Sequence, residues 1–510
     1  MRVLTREQAR ELDSFSINKL GVSSKNLMTN AGDLVAKTAK NMICNIRNPK
    51  ILILCGKGNN GGDGFAAAIK LLSYGYSIKI FSISSQKGIK GDTLYFYNKC
   101  CDLNIPILFG PDLPDIENND LIIDALLGTG FQGTLKPYLI PLIERINNIK
   151  TKALSIDIPS GLDSNSGLAK PVAVQADSTA TMGSPKLGMV LRQGKYFSGE
   201  TISENIGFPE IDNFTFSGMN WEIFDERLVS KMFEKVKPDT HKYERGKVLV
   251  IAGSRGMTGA AILATMGALR SGSGLTITTT PKSLNTIFES NIIEGMTMIL
   301  QDNDSGYLIL DNLDEILEKS TWADSVILGP GLGRNKSTQA LIKKLVLNIK
   351  SPMVLDADGL YPFAKNLTDL NNRKSPLIIT PHIGELASLT DIDKEDIKND
   401  FTNIMTDIMN NFHHVALVKQ APVCVFNRRR VTINSSGNPG LATSGTGDVL
   451  AGIIGSFLSN GIDTKLAANL GAFIHGKTSD QLVEKFGYRG QIATDLLPII
   501  PRVIAYYEHL

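Results

Sequence analysis

The sequence predicts an α/β fold in two domains, each a helix-covered sheet. Three observations carry the prediction. Two buried-strand runs, residues 50–55 and 247–252, each lead into a glycine-rich loop and then an apolar helix, the opening unit of a doubly wound sheet. After each opening unit, further strand runs alternate with helical stretches. The 510 residues, 42% of them hydrophobic and 20% charged, are enough for more than one sizeable core.

Composition excludes several function classes. Lys+Arg 53 against Asp+Glu 51 leaves a formal charge of +2, so no nucleic acid and no anionic membrane is expected as a partner. The 47 glycines against 2 tryptophans suit the tight turns of ligand-binding α/β folds rather than aromatic-rich grooves. The five cysteines are odd in number and lack metal-ligand spacing, and Cys100 and Cys101 are adjacent, which fits a reducing cytoplasm. Residues 1–8 carry no signal-peptide core, and Thr5 with Gln8 reads as a capping box opening a helix. The apolar run 449–458 falls well short of the roughly 20 residues that span a bilayer. The cytoplasm is therefore the expected location.

In the first half, strand 50–55 is followed by Gly56-Lys57-Gly58-Asn59-Asn60-Gly61-Gly62-Asp63-Gly64 and a helix from Phe65. This loop has neither the dinucleotide fingerprint nor the Walker lysine spacing. Strands follow at 77–83, 121–125 and 153–158, and the last two carry Asp124 and Asp157 near their carboxyl ends. A single such aspartate is usually a helix cap. Three strand ends presenting Asn60 and Asp63, Asp124, and Asp157 are expected to converge on one crevice, where open parallel sheets bind ligands.

From residue 208 to 247, Pro209, Asn213, Gly218 and Pro238 break the pattern, and 225–235 reads as a short charged helix. The domain boundary is placed near Gly218, giving domains 1–217 and 218–510. In the second half, strand 247–252 leads to a Gly-rich loop and an Ala- and Gly-rich helix at 260–271, read as close helix–sheet packing. Strands follow at 275–280, 325–328, 353–358 and 377–380, the last running into Pro381-His382-Ile383-Gly384-Glu385. His382, just past a strand end beside Glu385, is assigned a binding role. Arg428-Arg429-Arg430 reads as a solvated hairpin turn. The run Asn438-Pro439-Gly440-Leu441-Ala442-Thr443-Ser444-Gly445-Thr446-Gly447-Asp448 can turn backbone N–H groups toward an anion at a helix N-terminus. Asp448 would repel a phosphate unless it takes a proton from a group attacking that phosphate.

Four ordered motifs of the first 215 residues, Gly-Asn-Asn-Gly-Gly-Asp-Gly, Asp124 with Gly-Thr-Gly, Ser-Ile-Asp-Ile-Pro-Ser-Gly and Ser-Pro-Lys-Leu-Gly at 184–188, resemble the NAD(P)HX epimerase domain. The resemblance implies a Rossmann-like fold. It also implies substrate contacts at Asn59, Asn60, Gly61, Gly62, Asp63, Gly128, Thr129, Gly130, Phe131, Gln132, Gly133, Thr134, Tyr138 and Asp157, and a potassium ion near Asn60, Asp124 and Ser160. Asp157 is the candidate acid/base group for inverting the C6 carbon of the hydrate, and Lys186 reads as a surface lysine. Thr29 stands where a glutamate is common.

Residues 225–510 are similar to the ADP/ATP-dependent NAD(P)HX dehydratase, through Ala-Gly-Ser-x-x-Met-x-Gly-Ala, Gly-Pro-Gly-Leu-Gly, Leu-Asp-Ala-Asp-Gly-Leu, Thr-Pro-His-x-Gly-Glu and the anion loop. That resemblance implies a ribokinase-like fold and hydrate contacts at Gly331, at 382–388 including Glu385, and at Asp448. The nucleotide would lie on Lys419, Gln420, Ala421, Pro422 and Val423 and on Asn438 to Gly447, with Mg2+. Gln420 and Ser444 stand where glycine is common. The expected partners are NADHX or NADPHX and ADP or ATP, and a homo-oligomer is the expected assembly. Two alternatives stay open: a ribokinase-like kinase of a small vitamin-precursor alcohol, and a first domain that only binds nucleotide or protein.

Overall fold

The computed structural model describes residues 1–110, 114–233 and 236–508. The chain divides into two compact units, residues 2–221 and residues 222–510 with Met1.

The sheet of the first unit has seven parallel strands among the described residues: β1 (Lys50–Cys55), β2 (Ser77–Ser82), β3 (Ile107–Phe109), β4 (Leu121–Ala125), β5 (Lys152–Ile156), β6 (Ser178–Met182) and β7 (Glu200–Glu204). Their order is β3-β2-β1-β4-β5-β6-β7, the doubly wound arrangement with its switch point between β1 and β4. Ile51, Leu52, Ile53 and Leu54 are all buried, as strands covered on both faces require. β6 and β7 carry no long apolar run. Thr179 of β6 is buried because its hydroxyl donates to the Ser198 carbonyl at 2.7 Å, and β7 is an edge strand ended by glutamates.

Helix α1 (Arg6–Asn18) starts at the expected capping box: Thr5 Oγ1 accepts from the Gln8 amide at 3.2 Å and Gln8 Oε1 from the Thr5 amide at 3.1 Å. Helices α2 (Ser24–Met42) and α3 (Asn59–Ser73) approach so closely that a Cβ on Gly32 would lie 2.7 Å from Ala66.

Nine strands of the second unit are β8 (Lys247–Ile251), β9 (Leu275–Pro281), β10 (Met296–Leu300), β11 (Ser325–Leu328), β12 (Met353–Leu355), β13 (Leu377–Ile379), β14 (Val415–Val418), β15 (Cys424–Asn427) and β16 (Arg430–Asn434). They run β16-β15-β14-β13-β12-β11-β8-β9-β10, parallel except where β15 pairs with β14 and β16. Arg428 and Arg429 form the turn of that antiparallel hairpin, as expected, and Arg430 opens β16. The switch point lies between β8 and β11.

Two expectations change. The Ala- and Gly-rich helix α4 (Thr258–Arg270) presses chiefly on a second helix, α6 (Thr446–Ser459): a Cβ on Gly452 would sit 2.3 Å from the Ala264 carbonyl oxygen. The charged stretch at 225–235 forms only a turn of helix, Glu226–Val229, and a 3-10 turn, Ser230–Met232; residues 234 and 235 lie outside the described residues. Among the described residues, no helix is long and apolar enough to cross a membrane.

Candidate active sites

At the first unit's switch point the strand ends open on a cavity of about 900 Å³. It is lined by Asn59, Asn60 and Asp63 from α3, by Gly128 to Gln132, Thr134 and Tyr138 from the loop after β4, and by Asp157. Gly61, Gly62 and Gly133 do not line it. A Cβ on Gly61 would meet the Gly56 carbonyl oxygen at 2.0 Å, so glycine there lets the helix start press against the strand-end loop.

Asp157 lies just past β5 at φ +69°, a strained conformation for a residue with a Cβ, of the kind that clusters at functional sites. Its Oδ2 accepts from the Thr129 amide at 2.8 Å and from the Thr129 hydroxyl. Its Oδ1 is 2.7 Å from Lys186 Nζ. Lys186 is therefore not a surface residue: its side chain is 4% exposed. Its ammonium is solvated instead by Asp157, by Thr181 Oγ1 at 2.7 Å, and by the carbonyls of Met182 and Ser184 at 3.2 and 3.3 Å.

Burial is the largest influence on Asp157 and would raise its pKa. The charge and hydrogen bond of Lys186, with the bonds from Thr129, outweigh burial and hold the carboxyl below the usual carboxylate range. Asp63 goes the other way. Burial first, then the charges of Asp157 and Asp13, push it well above that range, and Lys186 offsets only part. Asp13, on α1, is raised by burial and by Asp157.

Asp124 does not reach the cavity. It is fully buried, with Oδ2 accepting from Ser155 Oγ and the Ser160 amide, both at 2.9 Å, and Oδ1 from Ser160 Oγ at 2.6 Å. These hydrogen bonds replace the water it gives up. Asn60 is the opposite case: among the described residues neither atom of its buried amide has a hydrogen-bond partner. A Cβ on Gly128 would lie 3.1 Å from both Asn60 Oδ1 and Asp157 Oδ2, so both side chains pack against that glycine.

In the second unit, loops from both sides of the switch point meet. Gly331, after β11, sits at φ +61°, and a Cβ there would crowd the Met257 carbonyl oxygen at 2.8 Å. Asp356 and Asp358 follow β12 on either side of Ala357, itself at φ +51°. Asp356 Oδ1 accepts from Lys419 Nζ at 2.7 Å, and Asp358 Oδ2 from the Gly333 amide at 2.9 Å. Lys419 opens the 419–423 connection after β14, where Gln420 Nε2 meets Cys424 Sγ at 3.5 Å.

His382 and Glu385 form a capping box at the start of helix α5 (Ile383–Thr390). His382 Nδ1 accepts from the Glu385 amide at 3.0 Å, and Glu385 Oε2 accepts from the His382 amide at 2.9 Å. This is a structural task beside the binding role expected of His382. Its imidazole remains 57% exposed.

The anion loop is held from both ends. Asn438 Oδ1 accepts from the Gly440 amide at 2.8 Å, while its Nδ2 donates to Asp480 of helix α7 (Thr464–Phe486) at 2.8 Å. Thr446 Oγ1 donates to the carbonyls of Leu441 and Thr443, both at 3.0 Å. Gly445, at φ +86°, is the N-cap of α6 and offers no side chain to its first amides, which leaves them for an anion. Ser444 is exposed and its backbone is outside the left-handed region, so nothing at this position demands glycine.

Asp448 stands in the first turn of α6. Burial, then the charges of Asp356 and Asp358, push it up to about 7 against the pull of Lys419. Lys419 stays protonated: burial opposes its charge, but Asp356, Glu385 and Asp448 more than compensate. A residue without any sequence signal of function also lies here. His475 of α7 is buried beneath Thr446, with no partner for Nε2 among the described residues, and burial pushes it down to about 4.

The family described as NAD(P)H-hydrate dehydratase matches residues 248–502, and that described as YjeF-related protein N-terminus matches residues 24–188. The bifunctional NAD(P)H-hydrate repair enzyme Nnr of Moorella thermoacetica is 34% identical, with 100% of this chain and 97% of the relative covered. The enzyme of the same name from Escherichia coli is 30% identical, with 95% and 90% covered. Among solved structures, the ADP/ATP-dependent NAD(P)H-hydrate dehydratase from Bacillus subtilis, co-crystallized with ATP/Mg2+, superposes with a TM-score of 0.49 at 24% identity, over 58% of this chain and 100% of that one. With both family matches in order along one chain and relatives alike over nearly their whole length, this protein belongs to the bifunctional NAD(P)H-hydrate repair enzymes.

Proposed function

We propose that the chain restores hydrated NADH and NADPH in two reactions at two sites. Residues 1–217 interconvert the R and S epimers of the hydrate, and residues 218–510 dehydrate the S epimer at the expense of ADP or ATP. One observation carries the second reaction: a carboxyl poised near neutrality, Asp448, ends an anion loop whose helix amides are uncapped.

In the dehydratase, Asp448 takes the proton of the C6 hydroxyl as that oxygen attacks the terminal phosphate of the nucleotide. The amides of Gly445 to Gly447 and the N-terminus of α6 hold the charge that develops on the phosphate. Phosphate is a better leaving group than hydroxide, so the ring nitrogen's lone pair expels it and a proton leaves C5. Asp356 Oδ2, the oxygen its bond to Lys419 leaves open, is 4.0 Å from a Cβ position on Gly447 and fits a Mg2+ ion carried on the phosphates. That ion would neutralise phosphate charge.

In the epimerase, the C6 hydroxyl leaves as the ring nitrogen's lone pair forms a C6–N double bond, and water returns to either face. Asp157, held ionised by Lys186, suits the removal of a proton from that water. Asn60 Oδ1, buried and without a partner among the described residues, would be an oxygen ligand for a potassium ion, with Asp124 and Ser160 as the further residues that would hold it and the ion supplying a fixed positive charge.

Incubation with hydrated NADH and ADP or ATP tests the proposal. Free phosphate is expected to appear in step with the absorbance of reduced nicotinamide. A stable phosphoester without recovered absorbance would instead mark a small-alcohol kinase. A first unit that leaves exchange between the epimers unaccelerated would be a binding module only.

A further inference from the structure

We propose that Asp63 is a second catalytic residue of the epimerase site, the acid that gives a proton to the departing C6 hydroxyl, acting opposite Asp157. The inference rests on the epimerase reading above and adds a residue to its chemistry.

The argument begins with charge. Four carboxyls border the cavity: Asp13 from α1, Asp63 from α3, Asp92, which accepts from the Ser24 hydroxyl, and Asp157 from the loop after β5. One buried ammonium, Lys186 from the loop after β6, faces them. Lys186 and Thr129 occupy both oxygens of Asp157. The Asp63 carboxyl makes no hydrogen bond or ion pair among the described residues, so only the charge of Lys186, already bonded to Asp157, favours its ionised form. The cavity's other cations, Arg10, Lys57 and Lys136, are exposed at its rim, so the charges that act on Asp63 are Asp157 and Asp13 against Lys186, and a proton retained on the unpartnered carboxyl relieves the repulsion.

Position selects Asp63. It is three residues after Asn60 on α3, so both lie on one face of the helix. Asn60 stands against Gly128 at the same point as Asp157. Asp63 therefore presents its carboxyl to the cavity from the element that opposes Asp157. Two carboxyls in environments that drive their protonation apart are the usual arrangement of an acid and a base in one site.

The step balances. The C6–O bond breaks as the nitrogen lone pair forms the C6–N double bond, and the Asp63 proton completes a departing water. A second water adds to C6 from the other face, the C6–N π electrons return to nitrogen, and Asp157 takes the water's surplus proton. Solvent carries that proton back to the Asp63 carboxylate. Nothing is oxidised or reduced.

The test is the pH profile of epimer exchange in the full chain, followed on separated R and S hydrates without nucleotide. Wild type is expected to lose rate below the pH at which Asp157 takes a proton and above the pH at which Asp63 loses one. D63N is expected to fall by about 10²-fold or more and to lose the high-pH limb, while D63E regains part of the rate and the limb. Dehydration of the S epimer by the same preparation reports that the chain is intact. D63N with only its KM raised and its profile unchanged would overturn the proposal. So would D63E without any recovery, or D13N in place of D63N removing the high-pH limb. A wild type that does not accelerate exchange would defeat the epimerase reading itself; exchange by D63N equal to wild type would defeat only the role of Asp63.

Discussion

Both sites are built from an aspartate, a lysine withdrawn from solvent (buried for Lys186, half-buried for Lys419) and a glycine-rich loop at a switch point, yet the two aspartates are driven in opposite directions. In the first unit Lys186 bonds Asp157 directly at 2.7 Å, and the carboxyl stays ionised. In the second unit Lys419 bonds a neighbour, Asp356, also at 2.7 Å, and Asp448 keeps only a distant share of that cation while feeling two further carboxylates. Its pKa rises to about 7. The pairing decides the outcome. A lysine spent on the reacting group makes a fixed anion, whereas a lysine spent beside it leaves a base near its working range.

The sharpest way to break this comparison is Asp448→Asn. Dehydration should fall by about 10²- to 10⁴-fold, with epimer exchange unchanged; loss of both activities together would deny that the sites are separate. Next in size, Lys186→Met leaves Asp157 buried without its counter-ion. The first unit should lose about 3–5 kcal/mol of stability and its epimerase rate, while S-epimer dehydration persists. Because Asp157 is depressed in the folded state, the ion pair contributes fully above the usual carboxylate range and is lost as pH falls through the lower folded value. Chemical denaturation across pH should therefore show wild type and variant converging toward acid.

Asp356→Asn should turn the second site toward the first. In its proposed role Asp448 must be ionised to accept a proton, so wild-type dehydration is expected to rise with pH through about 7 and level off above it. Removing the Asp356 charge, and freeing Lys419, lowers the Asp448 pKa and should move that rise to lower pH in a pH–rate profile. A rise that stays in place would show that burial alone sets it. The smallest effect is expected from Gly445→Ala. The left-handed backbone costs about 1–2 kcal/mol, and the added Cβ would sit 2.7 Å from Leu263 Cδ1. Nucleotide KM should rise several-fold, measured with hydrate saturating, and epimer exchange should not move.

Much of the fold was legible because its signals are local. Continuous apolar runs mark parallel strands buried on both faces, and β1, β4 and β11 lie where those runs lie. Signals failed where burial depends on a distant partner. β6 is built of Ser178, Thr179, Ala180, Thr181 and Met182, whose hydroxyls are buried only because the chain supplies distant acceptors such as the Ser198 carbonyl. Strands read through 158 and 358 end at Ile156 and Leu355, because the backbone turns into the left-handed region at Asp157 (φ +69°) and Ala357 (φ +51°).

The sequence by itself determined the two α/β units, the glycine-rich loops at their strand ends, and Asp157 and Asp448 as the carboxyls worth following. Composition and spacing suffice for these, since apolar periodicity and glycine placement act through neighbours in the chain. Only the tertiary structure decided that Lys186 is buried against Asp157, that Asp124 lies beneath the cavity, and that Lys419 belongs to Asp356. Charge pairing across 29 residues in one site (Lys186 and Asp157) and 63 in the other (Lys419 and Asp356) depends on which strand ends the fold brings together, and on how much water it leaves between them.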